Sequence, residues 1–153
     1  MLSAHPDEIQ LLSYSWGVNQ ASSISAAGGL GASKVSVQDF SFTKHLDRAS
    51  PALLLACCSG THFRSVVVSL CRSGADRTTF AQFKFEDVLI SSVTTGGSPG
   101  GGDNVPTENV SLAFAKFTVG YRAQTAQGAF DRPVFAGWDL LGNKSSASPL
   151  PMK

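Results

Sequence analysis

The feature that most constrains this chain is a single segment with helix start and stop signals, set among many strand-like runs. Ser50-Pro51 can open that helix, since serine is favoured at the N-cap and proline at the first helical position. Gly60 can close it in the left-handed conformation that glycine tolerates. The intervening LLLACC (53–58) is apolar nearly all round, so we expect a buried helix packed as a plug against a sheet.

The strand-like runs alternate in side-chain character. In the first, Leu12, Tyr14 and Trp16 share one face, while Ser13 and Ser15 lie on the opposite face. We therefore expect the aromatic face to cover a core and the small polar face to meet water or a partner. The predicted strands are 8–20, 34–43, 63–72, 78–94, 108–122 and 133–141.

The second strand slips out of phase between Val37 and Phe40, which predicts a bulge near Gln38–Asp39. Segments 21–33 and 96–104 are Gly- and Ser-rich and predict flexible loops. The pattern predicts a mainly β fold, a small β-barrel of two packed antiparallel sheets with one short flanking α-helix from about Ser50 to Gly60. Residues 1–141 would form this single domain, and 142–153 a mobile tail.

Charge is scarce in this chain. Only 15% of its 153 residues are charged, against about 25% in an average protein. Interface cores are depleted in charge, so such surfaces suit burial against other chains. The net charge of +1 predicts no nucleic-acid partner. The sequence has no apolar run long enough to predict membrane insertion and no signal-peptide pattern that predicts general secretion.

No residue pattern predicts catalysis, a metal or a cofactor. The three cysteines, Cys57, Cys58 and Cys71, make no disulfide framework and suit reduced, buried thiols. Cys58 and His62 could be a nucleophile–base pair, but an apolar helix does not lower a thiol pKa, so structural thiols and a surface histidine are favoured. The GGSPGGGDN loop (96–104) lacks the Gly-Lys-Ser/Thr ending of a phosphate loop.

Five motifs in order carry a family resemblance that runs from about Asp7 to Trp138. They are YSWG (14–17), KVSVQDFSFTK (34–44), Ser50-Pro51 with LLLACCSG (53–60), VTTGGS (93–98) and TENVSL (107–112). Together they resemble the haemolysin-coregulated protein (Hcp) family, the inner-tube proteins of bacterial type VI secretion systems.

The resemblance implies a structural protein and not an enzyme. Six copies would form a ring, the rings would stack into a tube, and effector proteins would ride in its channel. Further partners would be a spike protein and a contractile sheath, and the protein would be cytoplasmic before firing and secreted afterwards. It also implies that Ser15 faces the channel, where alternation along the strand places Ser13 as well, and that Gly74, Ala75 and Leu141 lie where rings stack.

One departure from the family concerns the start of the chain. Family members carry a further strand ahead of the Asp7-Glu8-Ile9 segment, whereas only residues 1–6 precede it here. Either the assigned start is late or the strand is absent, which would leave a sheet edge unpaired.

Two other functions stay open on the residues alone. One is a carbohydrate- or peptide-binding β-sandwich, with Trp16 and Trp138 as a platform. The other is a hydrolase that uses Cys58 or Ser59.

Overall fold

The computed structural model describes residues 7–25, 29–74, 77–97 and 105–152, and these contain eleven strands and one helix. The mainly β fold with one short helix is confirmed. The strands are β1 (Ser13–Ser15), β2 (Val18–Asn19), β3 (Ser22–Ser25), β4 (Gly29–Ala32), β5 (Ser36–Val37), β6 (Phe40–His45), β7 (His62–Cys71), β8 (Thr79–Gly96), β9 (Thr107–Tyr121), β10 (Val134–Asp139) and β11 (Lys144–Ser145); the helix is α1 (Ser50–Ser59).

The residues group into two compact units. The helix unit comprises Ile9–Thr61 and Leu89–Ala113, and the C-terminal unit comprises Met1–Glu8, His62–Val88 and Phe114–Lys153. The long strands β8 and β9 contribute residues to both. One seven-stranded sheet follows the order β1-β6-β9-β10-β11, with β8 pairing with β7 and β9, and β2-β5 and β3-β4 are separate pairs. The pairings among the described strands follow an open path and do not close into a barrel.

The core of the helix unit lies on one face of β6 and β9. Phe40 pairs with Leu112 and Phe42 with Val110, and all four side chains are buried. Gln38 and Asp39 interrupt the run between β5 and β6, where the bulge was predicted. That interruption lets Phe40 and Phe42 face inward, as the sequence indicated.

The first predicted strand is shorter and less buried than expected. It divides into β1 and β2, with Trp16 and Gly17 between them. Tyr14 stacks on Phe40 with ring centroids 5.7 Å apart, yet it remains 43% exposed. The aromatic face of β1 therefore covers the core only at its margin.

The predicted burial of α1 is wrong. Only Ser50 and Ala56 are buried, whereas Leu54 is 50% and Leu55 68% exposed, and Cys58 is exposed as well. Apolar residues surround the whole helix, so the few that face inward leave the others in solvent. Gly60 ends the helix with φ 64°, as predicted, but the N-cap is Ala49 and not Ser50.

Two segments expected to be loose have regular pairings. Segment 21–33, predicted as a flexible loop, contains the antiparallel pair β3–β4, because backbone pairing needs no apolar side chains. In the C-terminal unit, β11 pairs with β10, and the Ser146 N–H donates to the Gly137 carbonyl at 3.1 Å. Residues 144–146 of the segment predicted to be a mobile tail therefore pair with β10. Most of the predicted loop 96–104 lies outside the described residues.

Candidate functional site

The polar face of the β1–β6–β9 sheet is the site that the sequence indicated at Ser13 and Ser15. Both serines are exposed on β1, the strand that ends this sheet. Their cross-strand partners on β6 are Thr43 and Ser41, and the partners of those on β9 are Asn109 and Ser111. We call these six residues the hydroxyl face.

Side-chain hydrogen bonds join the β6 and β9 members of the hydroxyl face in two pairs. The Ser41 and Ser111 hydroxyls lie 2.9 Å apart, and the Thr43 hydroxyl donates to Asn109 Oδ1 at 2.8 Å. No member carries a charge. Sequence reasoning found Ser13 and Ser15 but missed the other four, although the alternation of β6 and β9 could have placed them.

The opposite face of the same strands carries a buried charged cluster, the Lys44 hub, formed by Lys44, Asp47, Ser50 and Glu108. Lys44 is fully buried and pairs across β6 and β9 with Glu108, which is 2% exposed. Lys44 Nζ lies 2.7 Å from Glu108 Oε2 and 2.9 Å from Asp47 Oδ1. The hub joins the first turn of α1 to the sheet.

Ser50 links the members of the hub. Its hydroxyl donates to Glu108 Oε2 at 2.6 Å and accepts from Lys44 Nζ at 3.1 Å and from the Asp47 N–H at 3.0 Å. This engagement explains why Ser50 does not cap α1. Nothing in the local sequence signals it, because the Ser50–Glu108 partners are 58 residues apart.

Burial and hydrogen bonding oppose each other in the hub. Burial lowers the pKa of Lys44, but its hydrogen bonds to Glu108 and Asp47 outweigh that effect and raise the pKa above 10.5. For Asp47, burial raises the pKa, while bonds from Lys44 and the Ala49 N–H outweigh it and lower the pKa below 3.8. Both side chains are therefore charged at neutral pH, which suits a fixed anchor.

Two of the three residues expected at ring-stacking positions, Gly74 and Leu141, lie between strands of the C-terminal unit. Gly74 follows β7 with φ 149°, in the region that favours glycine, and it is exposed. Leu141 is 79% exposed in the β10–β11 turn, where Asp139 Oδ1 accepts from the Leu141 and Gly142 N–H groups at 3.0 Å. Ala75 lies outside the described residues.

The structure shows how exposed the candidate residues of the hydrolase and of the binding module are. His62 is exposed, and its Nδ1 lies 3.0 Å from Asp87 Oδ1. Cys58 is exposed, and Cys57 and Cys71 are half-buried, so the expected burial of all three thiols is wrong. Trp16 and Trp138 are each half-buried and do not form open aromatic platforms.

Within the described residues, no group of three or more histidine, cysteine, aspartate or glutamate side chains could hold a metal ion. No helix in the described part of the chain has the length and apolarity to cross a membrane.

Comparison with known proteins identifies the family. Residues 2–121 match the family model described as "Type VI secretion system effector, Hcp". The chain belongs to the Hcp family. It is 43% identical to "Protein hcp1" of Pseudomonas aeruginosa over 141 residues, covering 91% of this chain and 86% of that protein.

Solved Hcp structures share the fold. "Structure of a type six secretion system protein" matches with a TM-score of 0.82 and 28% identity, covering 89% of this chain and 85% of that one. Hcp1 from Salmonella typhimurium matches with a TM-score of 0.75 and 31% identity, covering 95% and 89%. The resemblance drawn from the five motifs is therefore confirmed, and this Hcp chain is a type VI secretion protein.

Proposed function

We propose that this Hcp chain is a tube subunit, six copies of which close into a ring that stacks with further rings and carries effector proteins in its channel. A spike protein and a contractile sheath are its further partners. The subunit folds in the cytoplasm and leaves the cell when the system fires. Family membership supports the general role, and the hydroxyl face is the observation that supports the channel.

The hydroxyl face has the chemistry that a shared channel needs. A wall that passes many different cargoes should not select among them, and strong charges or large apolar groups would bind some partners tightly. Ser13, Ser15 and the four partners on β6 and β9 are small and uncharged. In the proposed ring, Ser15 and Ser13 line the channel.

Exposed apolar side chains support self-association. Large apolar residues that a lone subunit would leave in water include Leu54, Leu55, Val134 and Leu141. A ring closes through heterologous contacts, in which two different patches of each copy meet. We expect each contact to bury more than about 1,000 Å² in total, as biological interfaces do.

The exposed turns are the proposed stacking contacts. Gly74, Ala75 and Leu141 would meet residues of the next ring. Cysteines at Gly74 and Leu141, in a chain without its native thiols, should crosslink copies from different rings. Crosslinks confined to single rings would contradict this assignment.

The channel assignment is tested by Ser15→Gln. A longer amide in each of six copies narrows and roughens the channel wall without adding charge, so rings should form normally and retain less effector. Co-purified effector per ring is the measurement, and Ser59→Gln, on an exposed residue at the end of α1, is the control. Equal retention by Ser15→Gln and the wild type would contradict the assignment.

A further inference from the structure

The last described segment, residues 146–152 (SASPLPM), packs against the rest of the C-terminal unit and ends in a tight turn, in which the Met152 N–H donates to the Leu150 carbonyl at 2.9 Å. We call it the strap. Its residues alternate in burial: Ser146, Ser148, Leu150 and Met152 are half-buried, and the three residues between them are exposed. A period of two is what a chain shows when every second side chain meets a surface. The strap is therefore docked along its length.

The surface beneath the strap, which we call the strap seat, is formed by Gln82, Glu86, Thr118, Gly120 and Gly137. Two of the five are glycines at points of closest approach. A Cβ on Gly120 would collide with Leu150 Cδ1 of the strap and would lie 3.0 Å from the Phe135 ring. A Cβ on Gly137 would collide with the Ser146 carbonyl oxygen and would lie 2.7 Å from the Phe117 carbonyl. The seat thus accepts the strap because both positions lack a side chain.

Polar groups of the seat fix the register of the strap. The Ser148 N–H donates to Thr118 Oγ1 at 2.9 Å, and the Ser148 hydroxyl donates to Glu86 Oε2 at 2.6 Å. Gln82 Nε2 donates to the Pro151 carbonyl at 3.3 Å. Thr118 and Gln82 are almost fully buried under these contacts, at 1% and 3% exposure.

Within the described part of the chain, one buried side chain of the seat, Gln82, has an unpaired hydrogen-bond acceptor. Gln82 Nε2 bonds both Ser69 Oγ and Pro151, but Gln82 Oε1 is buried and has no hydrogen-bond partner within the described residues. Leaving a buried acceptor unpaired costs free energy. The docked strap leaves this free-energy cost in place.

The strap has the properties of a pre-organised peptide ligand. Pro149 and Pro151 fix their own φ angles, and each biases the preceding residue, Ser148 or Leu150, towards extended conformations. Proline-rich segments pay little entropy on docking for this reason. Both prolines are exposed, so the residues that meet the seat are the ones between and beside them.

We propose that the strap seat is a peptide-binding site, and that in the assembled protein its ligand is the strap of a second copy. The inference rests on the self-assembly in the proposed function. The ligand chemistry is the one already seen within the chain: a proline-rich segment with a serine and a leucine two residues apart, each followed by proline. Exchange replaces each contact with an identical one, so it carries little enthalpic cost.

The anchors of the strap allow such an exchange. The Ser146 N–H is bonded to the Gly137 carbonyl; beyond it, the hydrogen bonds described between strap and seat are those of Ser148 and Pro151, beside the Leu150 contact. The net contribution of a single hydrogen bond to stability is small, so local release of residues 147–152 is accessible without unfolding of the sheet. Neighbouring copies held at high effective concentration then compete for the seat.

Crosslinking between two differently tagged, co-expressed full-length chains tests the inference. One chain carries Gly120→Cys and the other Leu150→Cys, both without native thiols, and these two positions are chosen because a Cβ on Gly120 would meet the Leu150 side chain. Only a strap bound to a neighbouring copy can link the two tags. We expect a linked pair several-fold more abundant than with Gly96→Cys in place of Gly120→Cys, because Gly96 has no atom within 4 Å of its Cβ position.

A second cysteine pair guards against a misfolded variant. Thr118→Cys with Ser148→Cys probes the same contact, since the Ser148 N–H reaches Thr118 Oγ1 at 2.9 Å. Both cysteines on one chain report the intrachain position. Rings that show only intrachain links would overturn the exchange and leave the proposed function intact. A protein that light scattering finds to be monomeric would overturn both.

Discussion

The Lys44 hub and the strap seat both fasten a peripheral segment to a sheet, but they do so with different chemistry. The hub buries a lysine and a glutamate at 0% and 2% exposure and completes their hydrogen bonds with Ser50 and Asp47. The seat uses two glycines, short hydroxyl contacts and a partly exposed carboxylate, that of Glu86. Separating α1 from the sheet would leave buried charges of the hub unpaired, which costs much free energy. Releasing the strap leaves no buried charge among the described residues unpaired, so it is easier.

The largest expected effect comes from breaking the hub. Lys44→Met leaves Glu108 buried without its cation, which should lower the free energy of unfolding by about 3–5 kcal/mol. Chemical denaturation measures it. Lys116→Met is the matched control, because Lys116 is 44% exposed and 3.9 Å from Asp139, so that change should cost less than about 1 kcal/mol.

A double variant sharpens the same prediction. Lys44→Met with Glu108→Leu removes both charges and should recover much of the lost stability, because the cost lies in the unpaired charge and not in lost attraction. Equal destabilisation by the single variant and the exposed-lysine control would show that the hub is not an anchor.

Overfilling the strap seat should have an intermediate effect. Gly137→Ala places a methyl group against two backbone oxygens that cannot move away cheaply, and should lower the free energy of unfolding by about 1–3 kcal/mol. Hydrogen exchange should quicken at the Ser148 amide, which is bonded to Thr118. Gly96→Ala, in open space, is the control. Unchanged exchange at Ser148 would contradict the role given to Gly137.

The smallest expected effect is a difference in pH dependence. The raised pKa of Lys44 contributes stability that is complete below 10.5 and is lost as the pH rises through the folded-state value. The lowered pKa of Asp47 contributes stability that is present above 3.8 and is lost as the pH falls through its folded-state value. The stability difference between wild type and the Lys44→Met/Glu108→Leu double variant, which leaves no unpaired buried carboxylate, should therefore be flat between these limits and decrease outside them. A steady slope across neutral pH would contradict this.

Local sequence signals predicted much of the fold and little of these two anchors. The alternation of β6 and β9 and the glycine at the end of α1 were readable because each acts within a few residues. Lys44 and Glu108 look like ordinary charges at strand ends, and their pairing depends on residues 64 apart. Gly120 and Gly137 resemble any other strand glycines until the strap lies over them.

The candidate site also contains residues that local sequence signals predicted and residues that they did not. Ser13 and Ser15 were predicted by alternation within β1, whereas Ser41, Thr43, Asn109 and Ser111 join them only through the registers of β1–β6 and β6–β9. The outward apolar surface of α1 was missed because a helix that is apolar all round gives no indication of which side is buried.

Molar mass in solution, measured by light scattering behind size-exclusion chromatography, tests the central claim most directly. The proposed tube subunit predicts a principal species of six times the 16.0 kDa chain mass, with larger stacked species as concentration rises. A single 16.0 kDa monomer that persists at high protein concentration would contradict the account of this chain as a self-assembling subunit.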